Sequence, residues 1–150
     1  MTPAGPDPVP CVLRPVGQPE WCALLQAARR SPLPWRNRTI LLLIWQGPVR
    51  PDVLLRLQVW DVQLAGRLLR PAQARPVRLS EEAAVALVAY LALERSTRCA
   101  ALFSGRGGRP LSPPELAQVF RRLSAVAGLQ VSPWSLHLGA LCARRAADHP

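Results

Sequence analysis

The sequence contains no lysine. All 19 of its basic residues are arginine, set against 9 acidic residues. No side chain can therefore form a Schiff base or act as an ammonium acid. Aromatic residues are also few, and Tyr90 is the one tyrosine, so any phenol chemistry within these residues would rest on it. The run of large aliphatic and aromatic residues from Ile40 to Trp45 is far shorter than the roughly 20 residues of a membrane span. Met1 to Pro10 has neither a basic start nor an apolar stretch, which argues against a secretory signal. The four cysteines, Cys11, Cys22, Cys99 and Cys142, form no CxxC pair, and His137 and His149 are not spaced with them for zinc. No metal and no cofactor are expected, and the thiols are expected to be buried or idle in a reducing cytoplasm.

What remains is enough for one domain. The chain has 150 residues and 16.4 kDa, and 49% of it is hydrophobic, which suffices for a sizeable core. The net charge of +10 points to a polyanionic partner, nucleic acid before a membrane surface. Arginine alone suits forked contacts to phosphate. A GC-rich coding bias would equally explain it, together with the abundant alanine, proline and leucine.

Residues 1–17 carry Pro3, Pro6, Pro8, Pro10 and Pro15 and predict an extended arm. Trp21, Leu24, Leu25 and Ala28 share one face of a helix that Pro19 can open and that runs to Arg30. A second helix is predicted from about Trp35 to Gln46, fully buried because its ILLLIW run has no polar side, and Gly47-Pro48 ends it. A short third helix spans Asp52 to Leu57. Asp61–Leu64 and Arg67–Arg70 read as two strands around a tight turn at Ala65-Gly66, with Arg75–Leu79 as an edge strand. Ser80 caps a long helix whose Val85, Leu87, Val88, Leu91 and Leu93 leave only a thin polar side. A Gly-rich loop follows, anchored by Leu102 and Phe103. Ser112-Pro-Pro-Glu115 is a capping box for a helix that stops at Gly128, and Ser132-Pro133 opens the last one, from Trp134 to about Ala147. The fold class is mainly α with a small three-stranded antiparallel sheet, α+β.

This order resembles the catalytic domain of the tyrosine recombinases, the phage integrase family, over residues 18 to 145. The pieces are the Asn37–Arg50 helix and turn, Leu54-Leu-Arg-Leu57, Trp60-Asp61 and Val77–Glu82. Leu102-Phe103 with Gly107–Ser112, and Ser132-Pro-Trp-Ser-Leu136, complete the set. The resemblance implies a reaction in which a tyrosine takes the DNA phosphate while two arginines, a hairpin lysine and supporting His or Trp residues neutralise it.

Position by position, the match is partial. Arg50 falls on the first arginine, the only family position retained, one residue later than the pattern. The acidic residue expected three positions on is Val53, with Asp52 one early. The hairpin segment Arg70–Arg75 has no lysine. Trp134 stands for the motif histidine, His137 for the second arginine and Leu138 for the next histidine. Tyr90 lies mid-helix, where the family places no chemistry, and the chain ends before the nucleophile's place.

The expectation is thus a domain over 18–150 without the family's N-terminal clamp or its tyrosine-bearing segment. Its function would be DNA binding, through Arg50, Arg70, Arg75, Arg106 and Arg109 on the phosphate backbone, without strand cleavage, in the cytoplasm and at the nucleoid. The candidate catalytic positions are Arg50, Trp134 and His137. Two alternatives stay open. One is a protein-interaction or self-associating module; the other is a recombinase fragment whose active site a partner chain completes. No membrane partner is expected.

Overall fold

The computed structural model describes residues 15–148. The described residues form six α-helices and a small sheet: α1 Gln18–Arg29, α2 Pro34–Gln46, α3 Pro51–Arg56, α4 Glu81–Leu93, α5 Pro113–Ala127 and α6 Pro133–Asp148. The strands are β1 Val62–Gln63, β2 Leu68–Leu69 and β3 Val77–Arg78, antiparallel in the order β1-β2-β3. Val62 pairs with Leu69, and Leu69 in turn with Val77, so β3, which begins just after Pro76, is an edge strand as the sequence predicts. Most of the predicted extended arm lies outside the described residues. Its end is not loose, because Val16 is buried in the core.

Helix α2 is the centre. Ile40, Leu41, Leu42, Leu43 and Ile44 are all buried, and α1, α3, α4 and α6 pack around the helix. A helix apolar on every side can be stable only when it is enclosed in this way. Trp45 stacks on Trp21 of α1, with ring centroids 5.1 Å apart and planes at 12°. Gly139 lets Val16 cross α6, since a Cβ there would collide with the Val16 backbone.

The helix ends follow local rules. Ser80 Oγ accepts from the Ala83 amide at 3.0 Å, and Ser112 Oγ from the Glu115 amide at 3.3 Å. Glu115 Oε1 accepts in return from the Ser112 amide at 3.1 Å, completing the box. Gly128 closes α5 at φ +70°, a left-handed conformation that glycine adopts without penalty. The start of α2 is different. Its cap is Glu94, from the end of α4, which accepts from the Trp35 amide at 3.0 Å and the Arg36 amide at 2.8 Å. A carboxylate against exposed helix amides is favoured by the dipole.

Three local features add to the sequence reading. In the β1–β2 turn Arg67 takes a positive φ of 50°. Helix α4 is not enclosed: Ala83, Ala86, Leu87 and Tyr90 are buried, while Val85, Val88 and Leu93 face outward. Cys22 and Cys142 are exposed thiols and Cys99 is half-buried, so none of the three is a core residue; Cys11 lies outside the described residues.

Candidate nucleic-acid interface

The two ends of α2 carry different charge arrangements. Beyond its C-terminal end, Arg50 is the residue before α3, in extended backbone at φ −66° and ψ 142°. Its Nε donates to Asp52 Oδ1 and an NH2 nitrogen to Oδ2, both at 3.1 Å, a two-pronged pair that is solvent-exposed. The guanidinium carbon also lies 5.6 Å from the centroid of the Trp134 ring, within cation–π range. Trp134 in turn meets His137 edge-on, with centroids 5.9 Å apart and planes at 86°. The three candidate catalytic positions, Arg50, Trp134 and His137, are therefore brought together by α6 packing on the α2–α3 turn.

Their chemistry is subdued. His137 is buried, and its Nδ1 has no hydrogen-bond partner among the described residues. Burial pushes its pKa below the ordinary imidazole value; the Arg50 charge adds to this and Asp52 opposes it. His137 is neutral at pH 7, and the one cation of the cluster is already balanced by Asp52. Trp134 is half-exposed, 45% of its surface remaining open. Nearby, Arg144 donates to the Gln46 carbonyl at 3.0 Å and covers the end of α2.

At the N-terminal end of α2 the charge is not balanced. A cleft of about 910 Å³ is lined by Arg36, Arg98, Arg106, Arg109 and Arg122, with Glu115 as its one acidic wall residue. Arg106 and Arg109 are exposed on the Gly-rich loop, where Gly107 and Gly108 both take positive φ. Glu115 is fully engaged: the Arg106 amide donates to its Oε2 at 2.8 Å, and the Ser112 amide and hydroxyl to its Oε1. The Arg106 amide holds the carboxyl below the usual carboxylate range; burial opposes this, and Ser112 and Arg36 reinforce it. Arg36 spans the base of the loop, donating to the Ser104 carbonyl at 3.2 Å.

The candidate DNA-contacting arginines thus fall into separate groups. Arg106 and Arg109 share the cleft, Arg50 sits at the far end of α2, and Arg70 and Arg75 are exposed on the link between β2 and β3. Arg36, Arg98 and Arg122 were not among the residues singled out from sequence. A signal existed for one of them: Glu115, Gln118 and Arg122 are spaced three and four apart and share a helix face. Arg36 and Arg98 reach the cleft through tertiary packing alone.

Tyr90 is fully buried. Its hydroxyl donates to the Leu102 carbonyl at 2.8 Å and accepts from the Ser104 amide at 3.0 Å, and its ring stacks on Phe103 at 5.5 Å. These contacts make it the joint between α4 and the loop, with no face turned to solvent.

Known structures share this architecture. The XerA recombinase superposes with a TM-score of 0.75 at 25% identity, covering 90% of this chain and 52% of that one. The fold is that of a tyrosine-recombinase catalytic domain. The Tn1549 transposon integrase, in complex with a circular intermediate DNA, matches the recombinase fold at a TM-score of 0.74 and 13% identity, over 91% of this chain and 54% of its own. The XerH site-specific recombinase bound to difH substrate matches at 0.73 and 16%, over 93% and 44%. The chain spans about half the length of these recombinase-fold structures. No protein-family model matches the sequence, and no curated protein does. Among the described residues no helix is long and apolar enough to cross a membrane.

Proposed function

We propose that this chain is a DNA-binding domain of the recombinase fold, which holds the duplex by arginine–phosphate contacts and does not cleave it by itself. The observation that carries this reading is the charge arrangement along α2. Five arginines against one engaged glutamate leave the cleft with uncompensated positive charge, which suits a polyanion. At the other end the relic of a phosphate site holds one arginine paired to Asp52 and a neutral His137. A transition state that gathers negative charge on phosphorus needs more than that.

Solved neighbours of this fold are themselves DNA complexes, which supports the partner class. The thirteen residues of α2 rise about 20 Å, so Arg50 and the cleft would meet a duplex roughly six base pairs apart. Arg70 and Arg75 would add backbone contacts from the sheet. Without a lysine, and with Tyr90 sealed in the core, these residues offer neither the nucleophile nor the hairpin cation of the family reaction. Such a protein would act in the cytoplasm, at the nucleoid.

The test is a nicked duplex that traps covalent recombinase intermediates, run on native and denaturing gels in parallel. A retarded native complex with no denaturant-stable adduct is expected. An adduct would overturn the non-cleaving assignment, and no retardation at low salt would overturn DNA binding itself.

A further inference from the structure

Helix α4 has an apolar face with nothing upon it. A surface helix turns polar residues to water, yet Val85, Val88 and Leu93 are 57%, 48% and 72% exposed. Glu81, Val85, Val88 and Ala92 follow at steps of four, three and four, which makes one continuous exposed stripe along the helix. The ends of the stripe are of opposite sign. Glu81 and Glu82 occupy the first turn, and Arg95 and Arg98 follow the last. Glu82 is partnered by Arg38, and Arg95 donates to the Cys99 and Ala101 carbonyls, whereas Glu81 and Arg98 are exposed.

We propose that a second copy of this chain covers this stripe, the two α4 helices lying antiparallel about a two-fold axis at Val88. The charge pattern selects both the occupant and the direction. In an antiparallel pair each Glu81 meets the arginine end of the other copy, and the helix dipoles run head to tail. A parallel pair would set Glu81 on Glu81 and Arg98 on Arg98. With the axis at Val88, the two Val88 side chains meet, and Val85 faces Leu91 and Ala92 of the other copy. A groove of about 470 Å³, lined by Pro34, Trp35, Arg38, Glu82 and Val85, runs beside the stripe. It lies opposite the last turn of the other α4, which carries Leu93, the most exposed large apolar residue in the described chain. Glu81, Val85, Val88 and Ala92 do not line the arginine cleft; Arg98 is the one residue the pairing shares with it.

Sedimentation velocity of the full chain over a concentration series tests it, with Val88→Arg and Val85→Arg measured alongside and folding checked by circular dichroism. Both substituted positions are exposed, so at least one variant should keep its fold. The expected result is a species of twice 16.4 kDa that either substitution weakens by more than about tenfold, since Val88→Arg sets like charges together at the axis. A monomer throughout the series would overturn the proposal. So would a dimer that neither folded variant weakens, because the copies would then meet elsewhere.

Discussion

The Arg50 guanidinium lies over the Trp134 ring, 5.6 Å from carbon to centroid, while its nitrogens hold Asp52 at 3.1 Å. One arginine is thus fixed from two directions, by a carboxylate two residues along the chain and by an indole from a helix that follows much later. The arrangement is a small structural clasp between α3 and α6.

The clasp makes a modest contribution to stability. Trp134→Ala removes the cation–π interaction at a half-exposed site and should lower the unfolding free energy by about 0.5–1 kcal/mol. Urea unfolding followed by circular dichroism measures it. The same variant opens His137 to water, so its imidazole, followed by NMR, should titrate at a higher pH than in the parent protein.

His137 sets a pH dependence. Its folded pKa is below the ordinary imidazole value, so the unfolded chain takes up the proton first. Above about pH 6.5 both states are neutral at this residue and it contributes no slope. As the pH falls below that value, stability should drop, by at most about 1.4 kcal/mol per pH unit, until the folded pKa is passed. His137→Phe should flatten the curve between pH 7 and pH 5. An unchanged slope would place the titrating group elsewhere.

Tyr90 is a structural residue, the buried joint between α4 and the Gly-rich loop. Tyr90→Phe leaves the Leu102 carbonyl and the Ser104 amide without their buried partner and should cost about 1–3 kcal/mol. DNA affinity per folded molecule should not change. A variant that unfolds no more easily but loses DNA binding would contradict this assignment.

The parts of the fold that were legible in the sequence are those set by neighbours along the chain. Ser80, Ser112 and Gly128 cap or stop helices with their own local chemistry, and the ILLLIW run is buried because no polar face was available to it. The meeting of Arg50, Trp134 and His137 was legible only through the order of motifs, since they lie on separate elements. Features built across the fold were not legible. Glu94 caps a helix that begins some sixty residues earlier, and Arg36 and Arg98 enter the cleft only when α2 and the Gly-rich loop pack together. The open side of α4 was hidden for a related reason: its sequence is apolar all round, and periodicity cannot say which side a neighbour covers.

The central claim is that DNA is held by arginine–phosphate pairing concentrated at the cleft. The measurement that tests it most directly is fluorescence-anisotropy binding to duplex DNA across a salt series, comparing the parent chain with the Arg106→Ala/Arg109→Ala double variant. The account predicts a linear fall of log affinity with log salt, with a slope shallower by about two in the variant, near 0.9 for each phosphate no longer neutralised. Arg50→Ala, whose charge Asp52 already offsets, should change the slope less. No binding at low salt, or a slope that removal of both cleft arginines leaves unchanged, would contradict it.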